Sequence, residues 1–174
     1  MALTLQQIAQ INAEDNYKFE TFISPENIAF SLSALGKCKI EKIEKLKFEN
    51  QITDSLTLKD KGIYLFVLEH VLVQTISLNY LLYIGKAYKT NSFKQRFYAY
   101  RSAIGSTQSK KNILMLTNLW PNSTFVYFVK ITDNQSIEDV EKILINKLRP
   151  PFNEEYYTEK SVNSTSLYKI ADNG

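Results

Sequence analysis

Cys38 is the only cysteine in 174 residues, which excludes an intrachain disulfide and a cysteine-rich zinc site. A chain with neither suits a reducing cytoplasm. No apolar run approaches the roughly 20 residues that cross a bilayer as a helix. The opening MALTLQQIAQ lacks a basic segment followed by an apolar core. The expectation is therefore a soluble cytoplasmic protein without membrane association. Histidine is as scarce as cysteine: His70 stands alone, outside every pattern described below, and reads as structural or incidental. No internal repeat or low-complexity tract occurs. The most informative absence is acid. From His70 to Thr132 there is no Asp or Glu, while the stretch carries Lys86, Lys89, Lys94, Arg96, Arg101, Lys110, Lys111 and Lys130. The formal net charge of +3 conceals this, because residues 1–60 hold 7 lysines against 9 acids and residues 61–174 hold 14 basic residues against 9 acids. Cations without local counter-charge suit a polyanion, or form a solvated face balanced by acids from elsewhere in the fold. Charge alone favours neither reading.

What the chain does have is apolar mass: 44% hydrophobic residues, with 10 Phe and 11 Tyr, enough for a packed core and too much for disorder. The length fits one domain, or a domain of about 110 residues with an appendage. Composition shifts near residue 60, which divides the chain into an N-terminal extension over 1–60, a domain over 61–157 and a polar tail over 158–174. The extension reads as mostly helical, with helices over 4–12 and 25–35, the latter opened by Ser24 or Pro25 and closed by Gly36. The segment KIEKIEKLKF that follows is compatible with a strand and with a helix. Beyond residue 61, GIYLFVL and YLLYIG read as two strands of a hairpin with a long connection around 69–79. Asn91 or Ser92 caps a helix whose buried stripe is Phe93, Phe97, Tyr100 and Ile104. TFVYFVKI is a third strand. Ser136 with Asp139 resembles a capping box, and the helix it opens is stopped by Arg149-Pro150-Pro151.

That last helix carries a carboxylate on the wrong side. Ile137, Val140, Leu144 and Leu148 share one face, and Glu141 falls within the same arc, whereas Glu138, Asp139, Lys142 and Asn146 lie opposite. A buried unpaired carboxylate is costly, so Glu141 requires a cation, hydrogen bonds or a metal. A salt bridge to Lys86 or Arg96 would satisfy it, and so would an escape to solvent at the edge of the stripe.

Four motifs in order carry a resemblance. GIY (62–64), YIG (83–85), the continuation YIGKAYKTNSFKQRFYAY (83–100) and EKILINKLRPPFN, with Glu141 twelve residues before Asn153, together resemble the GIY-YIG nuclease family over roughly residues 60–157. The resemblance implies an α+β fold in which a small three-stranded antiparallel sheet is flanked by helices. It also implies a metal-dependent endonuclease that hydrolyses phosphodiester bonds. Position by position, it makes Tyr64 and Tyr83 the active-site tyrosines, Lys86 the motif lysine and Arg96 the arginine on the scissile phosphate. Tyr100 becomes the supporting helix aromatic, Glu141 the metal ligand and Asn153 the terminal polar residue of the site. Some members carry histidine where Tyr100 stands, which argues against an imidazole base here. The gap from Tyr64 to Tyr83 exceeds that of compact members, through longer strands or an inserted loop.

The residue chemistry is compatible with these roles. Mg²⁺ or Mn²⁺ takes oxygen ligands and keeps much of its water, so one carboxylate plus substrate phosphate oxygens can hold it. A phenol, with a free pKa of about 10, acts as base near neutrality only when positive charge lowers it. Arginine offers a planar fork for phosphate oxygens. Taken singly, each residue has a plainer reading: tyrosines filling a sheet face, an exposed helix arginine, a turn-forming asparagine. The expected partner is DNA, double-stranded, bound by Lys86, Lys89, Lys94, Arg96, Arg101, Lys110 and Lys111, with the loop 105–123 reaching the bases. Such a partner would place the protein at the nucleoid or in a nucleus. A restriction-type or mobile-element enzyme is the expected kind, and a homodimer would let one site per chain cut both strands. A non-cleaving nucleic-acid-binding module on the same fold, and an interaction protein with an acidic partner, are the alternatives.

Overall fold

The computed structural model describes residues 25–49, 51–73, 76–104, 116, 118–120 and 122–153. In order they form helix α1 (Pro25–Gly36), strand β1 (Ile40–Lys47), a 3-10 turn (Ile52–Ser55) and strands β2 (Gly62–Val73) and β3 (Ile76–Ala87). Helix α2 (Phe93–Ala103), strand β4 (Thr124–Ile131) and helix α3 (Asn134–Leu148) follow. One antiparallel sheet runs β1-β4-β2-β3. Among the described residues no helix is long and apolar enough to cross a membrane. The expected helix over 4–12, the tail over 158–174, Lys110, Lys111 and most of the 105–123 loop lie outside the described residues.

The α+β class is as expected, but the sheet has four strands rather than three. The extra one is β1, from the segment whose Ile40, Ile43 and Leu46 recur at a helix-like interval. It becomes a strand because β4 has an open edge to satisfy, with Ile43 opposite Val129 and Leu46 opposite Val126. Its lysines and glutamates suit an edge strand, where charge discourages further pairing. Residues 25–60 thus build into the same sheet and cores as the rest. Residues 69–73 and 76–79 are strand, where a long connection was expected: β2 and β3 pair from Gly62 opposite Ala87 out to Val73 opposite Ile76. The long gap between the two tyrosines is taken up by extended strands.

Alternation along the strands makes two cores. Toward α2 lie Tyr64, Phe66, Val126 and Phe128, packed on Phe93, Phe97 and Tyr100, with Phe48, Ile52, Leu56 and Phe152 closing the rim. Phe97 sits at the centre, its ring 4.9 Å from Phe128, 5.2 Å from Tyr64 and 5.6 Å from Phe66. On the opposite face Ile63, Ile84, Val129 and Ile131 pack against Ala34 of α1 and Ile137, Val140, Leu144 and Ile145 of α3. Ser92 caps α2 through a full capping box with Gln95. The start of α3 differs from the expectation at Ser136: Asp133 is the cap, accepting the N–H groups of Gln135 and Ser136. Two donors bound by a charged acceptor at the helix N-terminus outweigh the single Ser hydroxyl, which sits inside the first turn. Arg149 ends the helix in the left-handed region, φ 46°, ahead of the two prolines.

Gly62 opens β2 at φ +143°, and a Cβ built there would lie 2.0 Å from the Val129 carbonyl oxygen. Gly62→Ala is expected to destabilise the fold by at least about 3 kcal/mol, from strain and clash combined. Urea denaturation measures this, and a loss below roughly 0.5 kcal/mol would mean that β2 does not enter the sheet in this register.

Candidate active site

The site begins with a tyrosine laid over a glycine. Tyr64 and Gly85 are cross-strand partners on the hairpin, and a Cβ on Gly85 would fall 2.4 Å from Tyr64 Cζ and 2.5 Å from its hydroxyl oxygen. Only glycine leaves room for the ring to lie across β3. Behind it Phe93, Phe97 and Phe66 contact the ring edge to face, so its orientation is set by packing.

A bulge then places the second tyrosine. Phe66 pairs with Tyr83 but Val67 pairs with Leu81, leaving Leu82 unpaired, and both Leu82 and Tyr83 reach the α2-side core. Tyr100, one helical turn after Arg96, completes the group. Its hydroxyl oxygen is 3.1 Å from that of Tyr64, and it interacts electrostatically with Tyr83. Burial pushes all three phenols far above their ordinary range. For Tyr64 the neighbouring Tyr83 and Glu141 add to the rise, while the Tyr100 hydrogen bond and the Arg96 charge pull it back.

Glu141 is buried, as its place on the α3 stripe predicts, at 6% exposure. Lys86, two residues beyond Ile84 on the α3-facing side of β3, puts Nζ 2.7 Å from Glu141 Oε2. Burial raises the carboxyl's pKa, and the Lys86 hydrogen bond and charge, then Arg96, hold it down. The Lys86 salt bridge is thus the partner the apolar stripe required. Arg96 itself is exposed on α2, with its charge acting on Tyr64, Tyr83, Tyr100 and Glu141 alike. Three phenols, a guanidinium and a carboxylate from four elements therefore share one electrostatic neighbourhood.

Asn153 supports this group from outside it. Its Oδ1 accepts the Ile84 N–H at 2.8 Å and its Nδ2 donates to the Ile84 carbonyl at 2.7 Å. Phe152 N–H donates to the Leu82 carbonyl at 3.1 Å. The closing segment thus hydrogen-bonds the edge of β3 at Leu82 and Ile84, on either side of Tyr83. Asn153 is a positioning residue, held in place by satisfying both polar groups of one peptide position.

Residues 61–156 match the family model described as the GIY-YIG catalytic domain, just over half of the chain. The chain belongs to the GIY-YIG family. Domains of this family are generally nucleases, and a nucleic acid is the corresponding substrate. No curated protein and no solved structure gave a match.

In family terms the name motifs have a physical content. The GIY tyrosine needs the YIG glycine as the floor on which its ring lies. Sequence reasoning named Tyr64, Tyr83, Lys86, Arg96, Tyr100, Glu141 and Asn153 as candidates; it did not name Phe152, whose N–H binds the β3 edge, and it put Glu138 on the outer side of α3. Glu138 Oε1 in fact lies 3.7 Å from Lys86 Nζ. Of the residues expected to hold nucleic acid, Lys89 is exposed and Lys94 half-buried. Arg101 donates to Thr53 Oγ1 at 3.1 Å.

Asn153→Leu removes two buried hydrogen bonds and leaves the Ile84 N–H and C=O without partners, so a loss of about 2–4 kcal/mol in urea denaturation is expected. An unchanged midpoint would show that the β3 edge is closed by something else. The phenols make a second expectation. Tyr64, Tyr83 and Tyr100 stay protonated in the folded protein well past the pH of about 10 at which exposed and unfolded phenols ionise. Stability is therefore level below that pH and falls as pH rises beyond it, because only the unfolded state releases those protons. Tyrosinate absorbance tests this, and ionisation of every phenol near pH 10 in protein that is still folded would refute it.

Proposed function

We propose that the protein is a divalent-cation-dependent endonuclease that hydrolyses double-stranded DNA in one step. The supporting observation is that Arg96 and Glu141, from different helices, both act electrostatically on Tyr64, which is hydrogen-bonded to Tyr100, and on Tyr83. Arg96 presents its fork to non-bridging phosphate oxygens and stabilises the charge of the five-coordinate transition state. Tyr64, once it has given its own proton to solvent, orients the attacking water and takes a proton from it as the phenolate. Tyr100, 3.1 Å away, donates to the Tyr64 oxygen and so favours that phenolate before the transfer. Gly85 and Asn153 keep the phenols and the β3 edge in register.

The donor set fits a hydrated cation only in a restricted way. Among the described residues no three or more of His, Cys, Asp and Glu converge as a metal cluster, so these residues build no closed cage. They offer a buried hard-oxygen anion, Glu141, whose charge reaches Tyr64 and Tyr83, and such a carboxylate is the donor that Mg²⁺ or Mn²⁺ uses together with substrate phosphate oxygens. Held on Glu141, the cation would supply charge neutralisation at the phosphate and the leaving oxygen. It would also cancel the Glu141 charge that raises Tyr64 and Tyr83. The exposed Lys89 and the α2 residues Lys94, Arg96 and Arg101 would follow the phosphate backbone. Cutting both strands with one site per chain would use a homodimer or two successive nicks. Among family activities, restriction-type and mobile-element enzymes are the kinds this domain would serve.

In a plasmid assay the wild type is expected to nick with Mg²⁺ and to stop with EDTA, and Glu141→Gln and Arg96→Ala to lose about 10²–10³-fold in rate. Tyr100→Phe should slow cutting by about tenfold, and the wild-type rate should climb about tenfold per pH unit on the alkaline side of neutrality. Nicking indifferent to Glu141→Gln would remove the ligand assignment. Salt-sensitive DNA binding with no cutting of any nucleic acid would identify a binding module instead.

A further inference from the structure

Strand β1 lies at the outer edge of the sheet, and among the described residues no strand pairs with its far side. Ile43 at its middle is 59% exposed, and Leu32 on α1 is 63% exposed. Both border Val129: Ile43 is its cross-strand partner, and Leu32 lines an apolar groove with it and with Leu35, Leu65 and Leu148. Charge flanks this apolar edge in a particular order. Glu41, Lys42, Glu44 and Lys45 are placed symmetrically about Ile43 in position and oppositely in sign. Lys42 and Glu44 bond each other on the face that Leu46 shares with the α2-side core, and Lys130 is a second cation on Glu44 at 3.1 Å. Lys45 bonds Glu69.

An outer strand is a template for a further strand, and charges along it keep out strands of arbitrary sequence. The order of the charges on β1 makes its own copy the exception. When a second β1 is placed antiparallel about a twofold axis through Ile43, Ile43 meets Ile43 and Lys42 and Glu44 lie opposite each other on both sides of the axis. Glu41 and Lys45 follow in the same way. Residues directly opposite in an antiparallel pair share a face, so opposite charges there attract and like charges repel. Moving the axis by one residue sets Lys42 against Lys42 or Glu44 against Glu44, which selects the one register. Past Glu41 the bulge between Ile40 and Lys42 bends the strand, ending the ladder before Lys39 and Lys47 come face to face. We propose that two copies of the chain associate edge to edge through β1 into a twofold dimer with one continuous sheet, four strands from each copy. The axis stands perpendicular to the sheet, so both α2 faces, and with them both Tyr64 clusters, lie on the same side of the joined sheet toward its two far ends. The interface itself does not rest on the proposed activity; the use of both sites on one duplex does.

The test is sedimentation equilibrium of the full chain over a range of protein concentrations, with circular dichroism to confirm that each variant is folded. The wild type is expected to pass from monomer to dimer as concentration rises. Lys42→Glu and Glu44→Lys each set like charges opposite one another on both sides of the axis, and each should weaken association about tenfold or more. An equimolar mixture of the two variants should recover it, because each then offers the other an opposite charge at both positions. The variant carrying both substitutions should associate with itself within about threefold of the wild type. Three results overturn the proposal: a wild type that stays monomeric, as it would if residues 1–24 of its own chain covered the edge; a dimer that Lys42→Glu leaves as strong as before, which places the contact elsewhere; and weakened variants whose mixture and swap do not recover. Amide hydrogen exchange of the wild type reads the same edge without any variant: protection over residues 41–45 should grow as the protein is concentrated, and protection that stays constant while the mass doubles also overturns the β1 contact. Sedimentation reads mass and not cutting, so failure of this interface and failure of the nuclease reading are distinct results.

Discussion

The contact between the Tyr64 ring and Gly85 is the constraint on which the rest of the site depends. With no side chain on Gly85, a phenol rooted on the central strand β2 crosses its neighbour, and its hydroxyl emerges beside Tyr100. A methyl at position 85 would displace the ring by more than an ångström, since the gap of 2.4 Å to Cζ is far inside contact distance. The hydrogen bond to Tyr100 and the distance to the Arg96 charge would go with it. The ring's other face is held by Phe97 and Phe93, so it has no second place to rest.

Around that contact the protein assembles groups that would be unfavourable alone. Tyr64 and Tyr100 are buried and Tyr83 is half-buried; the Tyr64 and Tyr100 hydroxyls bond each other, and burial pushes all three phenols toward their neutral form. A carboxylate is buried but shares its charge with Lys86. The β3 edge, which would expose the Ile84 peptide beside Tyr83 and Gly85, is closed by the Asn153 amide. Each compensation comes from a different element, and the site is only as well ordered as the packing that brings α2, α3 and the closing segment to one hairpin.

The legible part of this arrangement lay in short-range pattern. Glu141 inside an apolar stripe, Ser92 before an amphipathic run and Pro150-Pro151 after one are local facts that follow from helix geometry. The misread parts were decided at long range. Ile40, Ile43 and Leu46 recur every three residues, as a helix would have them, yet β1 is a strand because β4 offers unpaired backbone. Ser136 was the plausible cap, yet Asp133 carries the charge and reaches two donors. Glu138 sat on the polar side of α3 in projection, yet the strand that delivers Lys86 passes within reach of it.

The amino-acid order alone determined the family and the α+β class, because those depend on residue identity and on spacings that local backbone geometry converts into faces. Tertiary structure alone decided that Lys86 neutralises Glu141, that Asn153 serves the backbone of β3, and that the sheet gains a fourth strand. Those outcomes depend on which unsatisfied charge or peptide group is nearest in space. That is a property of the packed chain, invisible in the separation of residues along it.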